Sequence, residues 1–203
     1  MLKAVLFDFG GVIAEEGFRE GLRAIARKAG RDPERAYEAG AEAVYDTGYV
    51  VGEGDEESFW AEFRRRTGIE GTAAAMREEV LGRFVLRLRV LELAREVRQA
   101  GLTVGILSDQ TDWLEELNER SPFYRHFDYV FNSYRMGKGK RDPGLFRDVA
   151  RQMGLAPEEV LFIDDKEQNV ERARSEGFQA SVFKGEDALG RELHRRLSPK
   201  PAH

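Results

Sequence analysis

The 203-residue sequence contains no cysteine, which excludes disulfide bridges, thiolate metal sites and a cysteine nucleophile, and fits a reducing compartment. It has only three histidines, His126, His194 and His203, and no pattern joins them, so they are assigned no role. No apolar run approaches the length of a membrane span. The first hydrophobic stretch carries Asp8 and ends at Glu15-Glu16, unlike a secretion signal, so a cytoplasmic protein without membrane attachment is expected. Positive charge is not in excess either: the formal net charge is -5, which argues against a general nucleic-acid binder. What is present, 41% hydrophobic and 34% charged residues, is ordinary for a globular chain. The length suits one sizeable core, or a core with a smaller inserted domain.

Against that background the stretch Lys3-Ala4-Val5-Leu6-Phe7-Asp8-Phe9-Gly10-Gly11-Val12-Ile13 stands out. Its apolar run from Ala4 to Phe7, too short for a helix, predicts a strand buried on both faces in a parallel sheet. Asp8 would then stand at the carboxyl end of that strand, where open α/β sheets place their ligands. From Phe18 to about Leu88 the pattern is helical, with Pro33, Asp55 and Gly71-Thr72 marking three of the starts. The aromatic cluster Phe59, Trp60 and Phe63 reads as packing within a small helical bundle rather than a ligand box. After this insertion, strands predicted at 103–107, 129–131, 160–163 and 180–183 alternate with helices, as expected of a parallel sheet. The tail from Ser198 to His203 is expected to fray.

The residues that follow the strands sharpen the reading. Ser108-Asp109 follows one strand and Asp164-Asp165 another, and between them lies Gly137-Lys138-Gly139-Lys140-Arg141-Asp142-Pro143. If these strands are parallel neighbours of the first, three carboxylates, a hydroxyl and a lysine meet at one sheet edge. Ser108 and Asp109 could equally cap the next helix. Two adjacent aspartates ending a buried strand repel unless a cation joins them, which favours a metal role for that pair.

The segments Phe7-Asp8-Phe9-Gly10-Gly11-Val12, Ile106-Leu107-Ser108, Lys140-Arg141-Asp142-Pro143 and Phe162-Ile163-Asp164-Asp165 together resemble, in order, the four motifs of the haloacid dehalogenase superfamily. Gly10-Gly11-Val12-Ile13 and the segment 127–134 are most similar to its branch of sugar-phosphate phosphatases and epoxide hydrolase phosphatase domains. The resemblance implies an α/β fold: a Rossmann-like parallel sheet with helices on both faces, built from residues 1–14 and 89–203, with a small helical cap at 15–88. It further implies that Asp8 attacks phosphorus to form an aspartyl-phosphate. Mg²⁺ would be held by Asp8, the Gly10 carbonyl and the Asp164-Asp165 pair, Asp165 being the closer ligand. Ser108 and the N–H groups after it, Asp109 included, would bind phosphate, and Lys140 would neutralise it. The function expected is Mg²⁺-dependent hydrolysis of a small phosphorylated metabolite by a monomer or homodimer. The alternatives are a dehalogenase-like hydrolase and a silent binding protein.

Three positions depart from the pattern. Gly10 stands where the family's phosphatases usually carry an aspartate that moves protons, which makes Glu15 and Glu16, at the root of the cap, candidates for that duty. Asp109 replaces a common asparagine and would repel phosphate unless it points away or finds a partner. Arg141 replaces a proline and is free to bind an anion or to pair with Asp142. In the cap, Arg19, Arg23, Tyr45, Tyr49, Trp60 and the arginines from Arg83 to Arg89 are read mostly as a solvated face.

Overall fold

A computed structural model describes residues 1–197; the tail from Ser198 to His203, and the expectation of fraying, lie outside the described residues. Strand β1 (Ala4–Phe7) is wholly buried because both its neighbours and both its faces are covered. It pairs in parallel with β2 (Thr103–Ser108) on one side and β4 (Val160–Asp164) on the other. Beyond these lie β3 (Tyr129–Asn132) and β5 (Gln179–Val182), giving the order β3-β2-β1-β4-β5 with every pairing parallel. Parallel strands need crossovers. These are supplied by α5 (Leu88–Gln99), α6 (Trp113–Arg120), the short α7 (Ser133–Met136), α8 (Gly144–Met153) and α9 (Glu167–Ser175); α10 (Glu186–Leu197) follows β5.

Side-chain alternation divides the core in two. Val5, Phe7, Val104, Ile106, Leu161 and Ile163 pack with Leu93 and Val97 of α5 and Leu189 and Leu193 of α10. Ala4, Leu6, Leu107 and Phe162 face the other way, against Leu145, Phe146 and Val149 of α8 and Val170 of α9. Helices therefore cover both faces, which is why the strand sequences are near-continuous apolar runs.

Between β1 and α5 the chain forms α1 (Gly17–Lys28), α2 (Pro33–Asp46), α3 (Glu56–Thr67) and α4 (Ala73–Leu81). The predicted starts hold through side-chain caps: Asp32 accepts from Glu34 N, Asp55 from Ser58 N and Thr72 from Ala75 N. Phe59, Trp60 and Phe63 are buried, with Trp60 stacked on Trp113 of α6, so the aromatic cluster is packing, shared between the helical insertion and the sheet-bearing part. Trp60 and Tyr49 thus leave the solvated face expected of them.

The two segments that lead into and out of the insertion meet as a short antiparallel pair. Ala14 bridges Leu86, Glu15 N donates to Val85 O at 2.9 Å, and Arg87 N donates to Ile13 O at 2.8 Å. The Arg87 guanidinium donates to the carbonyls of Gly11, Val12 and Ala14 at 2.5, 3.2 and 3.2 Å, pinning the loop that follows β1.

Candidate active site

The register of the sheet assembles the site. One residue past the aligned triple Ile106, Phe7 and Ile163 come Asp8 and Asp164, with Ser108 two residues past Ile106. Asp8 Oδ1 accepts from the Ser108 hydroxyl and from Phe9 N, both at 2.7 Å, and lies 2.7 Å from Lys140 Nζ. All three partners converge on Oδ1, leaving Oδ2 without a donor among the described residues. Lys140, only 1% exposed, also reaches Asp164 Oδ2 at 2.6 Å. Asp164 further accepts from Lys166 N at 2.8 Å and, on both oxygens, from the Asn169 amide nitrogen at 3.1 Å.

Burial lifts the Asp8 carboxyl above the usual carboxylate range, with Lys140 partly opposing it. Burial would raise Asp164 as well, but there the Lys140 charge and the surrounding donors win and hold it below its ordinary value. Burial acts to lower the Lys140 ammonium, but Asp164 and Asp8 together outweigh it and push Lys140 above the ordinary lysine value, keeping it charged.

Asp8, Asp164 and Asp165 each offer an oxygen within 4.8 Å of the others. Asp165 Oδ1 is buried with no hydrogen-bond partner among the described residues, an arrangement that costs free energy unless a cation completes it. Such an all-oxygen, acidic set fits a hard divalent cation such as Mg²⁺. Gly11 makes the approach possible: its φ is +89°, and a Cβ there would come within 2.5 Å of Asp165 Cγ.

Over Asp8 opens a cavity of about 270 Å³. Its floor carries Asp8, Gly10, Ser108 and Lys140, and its roof is formed by Phe18, Tyr37, Val44, Tyr45 and Val50. Asp109 lines it too, and is engaged on both oxygens: Oδ1 accepts from Lys140 N at 2.8 Å, Oδ2 from the Tyr45 hydroxyl at 2.5 Å. Neither Ser108 nor Asp109 caps a helix; the residue before α6 is Asp112, which accepts instead from the Tyr49 hydroxyl. Arg141 does not pair with Asp142, whose carboxylate accepts from Gly144 N; its guanidinium lies 3.5 Å from the Tyr45 ring centroid. Tyr45 is thus a wall of the cavity and not part of a solvated face.

The two glutamates differ. Glu15 is paired with Arg87 at 2.9 Å and half exposed, whereas Glu16 lines the cavity. Lys166, Asn169, Gln110 and Tyr37 also line it and were not singled out from the sequence. Only Asn169 leaves a signal, its spacing of five from Asp164 placing it in the first turn of α9.

The haloacid dehalogenase-like hydrolase family matches residues 2–177. Among curated proteins, the D-ribitol-5-phosphate phosphatase of Bacteroides thetaiotaomicron is 27% identical over 192 residues, covering 88% of this chain and 90% of its own. Among solved structures, a haloacid dehalogenase family enzyme of the same organism, in complex with magnesium and inorganic phosphate, superposes with a TM-score of 0.70 at 22% identity. It covers 91% of this chain and 95% of that one. The L-2-haloacid dehalogenase of Xanthobacter autotrophicus superposes with a TM-score of 0.68 at 21% identity, over 98% and 85% of the two chains. At such identities the superpositions speak for the fold alone, a parallel sheet with helices on both faces. The match across residues 2–177 adds the sequence to that fold, and the chain belongs to the haloacid dehalogenase-like hydrolases.

Proposed function

We propose that the protein is a Mg²⁺-dependent phosphatase that hydrolyses a small phosphorylated metabolite in the cytoplasm through an aspartyl-phosphate on Asp8. The observation that carries this reading is the buried carboxylate triad Asp8, Asp164 and Asp165, with an orphaned oxygen on Asp165, set beside a charged lysine. Residues 1–14 and 89–203 form the catalytic core in this reading, and 15–88 the cap that closes over the substrate. The phosphatase relative at 27% identity supports the reaction class.

In the reaction, Asp8 Oδ2, the oxygen left without a donor, attacks phosphorus while Oδ1 is held by Ser108, Phe9 N and Lys140. Ser108 and the N–H groups after it hold phosphate oxygens, and Lys140 balances the charge that develops on them. Asp8, Asp165 and the Gly10 carbonyl, backed by Asp164, would hold Mg²⁺, which when bound offsets the repulsion between the aspartate and the phosphate. Asp109 acts indirectly, by fixing the Lys140 backbone and tying it to Tyr45.

A dehalogenase would use the same Asp8 ester, and Gly10 is the observation in its favour; the carboxylate triad and Lys140 weigh for a cation and a phosphate. The test is release of inorganic phosphate from phosphorylated metabolites and p-nitrophenyl phosphate, with Mg²⁺ or with EDTA, for wild type and Asp8→Asn, beside halide release from haloacids. Mg²⁺-dependent phosphate release lost in Asp8→Asn is expected. Halide release without phosphate release would replace the reading.

A further inference from the structure

An ester on Asp8 turns over only if the leaving oxygen receives a proton and the incoming water loses one. The groups around the cavity able to carry that proton are few, and no histidine is among the residues that line it. Asp164 is saturated by Lys140, Lys166 N and Asn169. Asp109 is spent on Lys140 N and Tyr45, whose own hydroxyl proton points into that bond. The Tyr37 ring lies under the Arg23 guanidinium, at 5.7 Å, in the roof formed by the helical insertion. Glu16 remains.

Its placement suits the task. Glu16 Oε2 accepts from Arg19 N at 3.1 Å, capping α1, so the side chain is fixed in direction. Oε1 has no donor among the described residues. A Cβ built on Gly10 would meet Glu16 Oε1 at 3.5 Å and Gln110 Nε2 at 3.5 Å. The place that a side chain two residues after Asp8 would take is therefore bordered by a carboxylate oxygen, an amide nitrogen and the edge of the Phe84 ring, also at 3.5 Å, so the carboxylate faces the position from which a side chain at residue 10 would act. We propose that Glu16, reaching in from the start of the helical insertion, is the general acid and base of this site. The assignment rests on the phosphatase reading above.

In the first half-reaction the bond from Asp8 Oδ2 to phosphorus forms, the bond from phosphorus to the leaving oxygen breaks, and the Glu16 carboxyl gives its proton to that oxygen. In the second, the oxygen of a water bonds to phosphorus, the phosphorus–Asp8 bond breaks, and the water's proton passes to the Glu16 carboxylate. The enzyme returns to its starting state with inorganic phosphate released. Burial, only partly opposed by Lys166 and Arg19, raises the Glu16 carboxyl above its ordinary value, which favours the acid form that the first step needs.

The test compares p-nitrophenyl phosphate, whose leaving group departs readily, with phenyl phosphate, whose leaving group needs the proton. Glu16→Gln is expected to lower kcat on phenyl phosphate by about 10²- to 10⁴-fold, and kcat on p-nitrophenyl phosphate less, with KM little changed. Acid quenching during p-nitrophenyl phosphate turnover should trap phosphorylated protein in the variant, because water attack on the ester has lost its base. Glu16→Ser keeps an oxygen for the Arg19 N–H but no acid, and should behave as Glu16→Gln does if proton transfer, not capping, is what Glu16 supplies. Gly10→Asp added to Glu16→Gln should recover turnover of phenyl phosphate, and Glu15→Gln should match wild type. Full activity in Glu16→Gln, or an equal fall on both substrates with no trapped ester, overturns the assignment while leaving the phosphatase reading in place. A wild type without Mg²⁺-dependent, Asp8-requiring release overturns both.

Discussion

Lys140 shows how strictly single residues are specified here. Buried between two carboxylates at 2.7 and 2.6 Å, it cannot be removed without leaving Asp8 and Asp164 facing each other. Lys140→Met should therefore lower stability in EDTA by about 3–5 kcal/mol, measured by urea unfolding, and abolish phosphate release. Asp109 makes a subtler case. Its two oxygens accept from two different donors, whereas an asparagine would aim an N–H at one of them. Asp109→Asn should raise KM severalfold through a loosened link to Tyr45, rather than raise kcat by relieving repulsion; steady-state kinetics on p-nitrophenyl phosphate separate the two. Asp8, Ser108, Asp164 and Asp165 could be read from the sequence because each directly follows or ends an apolar strand, and strand ends in a parallel sheet share an edge. Tyr45 could not be read, since its entry into the cavity depends on how the helical insertion sits over the sheet, and Gln110 and Lys166, two residues past the ends of β2 and β4, gave no sign of which way their side chains turn. Glu16 fell between: its nearness to Asp8 in the chain raised it together with Glu15, and only the direction of each side chain separated the two.

At the scale of elements, polar caps and glycine stops carried most of the legible information. Asp32, Asp55 and Thr72 each begin the helix expected of them. The short α7 gave no comparable sign, four residues being too few to show a period. Asp55 also predicts a pH effect. Its carboxyl is held below the ordinary value by the Ser58 backbone N–H and hydroxyl, so its contribution to stability is full above about pH 3.8, its unfolded value, and fades as pH falls through the lower folded value. Asp55→Asn should cap nearly as well without that dependence. The melting-temperature gap between wild type and variant, followed by circular dichroism from pH 6 to pH 2 at roughly half-unit steps, should narrow or reverse toward acid. The paired segments at Ala14 and Leu86 form the other notable element, because Arg87 ties them to the carbonyls beside Asp8. Arg87→Met removes donors from three carbonyls, and should lower kcat while the circular dichroism spectrum stays native.

Across the whole molecule, the sheet order puts the first strand in the middle, with neighbours drawn from residues 103–108 and 160–164. A chain ending before Val160 would leave one edge of β1 and half of the second apolar layer bare. Such a truncation, at residue 156, is expected to lack cooperative thermal unfolding and to aggregate, checked by calorimetry and light scattering. The same order sets a timetable for synthesis. The strand that leads into Asp8 leaves the ribosome before either of its partners: the nearer, β2, begins roughly a hundred residues later, about 5–20 s at ordinary elongation rates, and the other later still. During that interval Ala4-Val5-Leu6-Phe7 is a short, uncharged, strand-forming segment with nothing to pair with. The helices at 17–81 pack largely on one another and can gather meanwhile, although Phe59 and Trp60 still wait for Trp113 of α6. The nascent chain thus gathers its helices while its first strand waits, and it is in this window, rather than in the finished fold, that the strand's unpaired edges are open to misassembly.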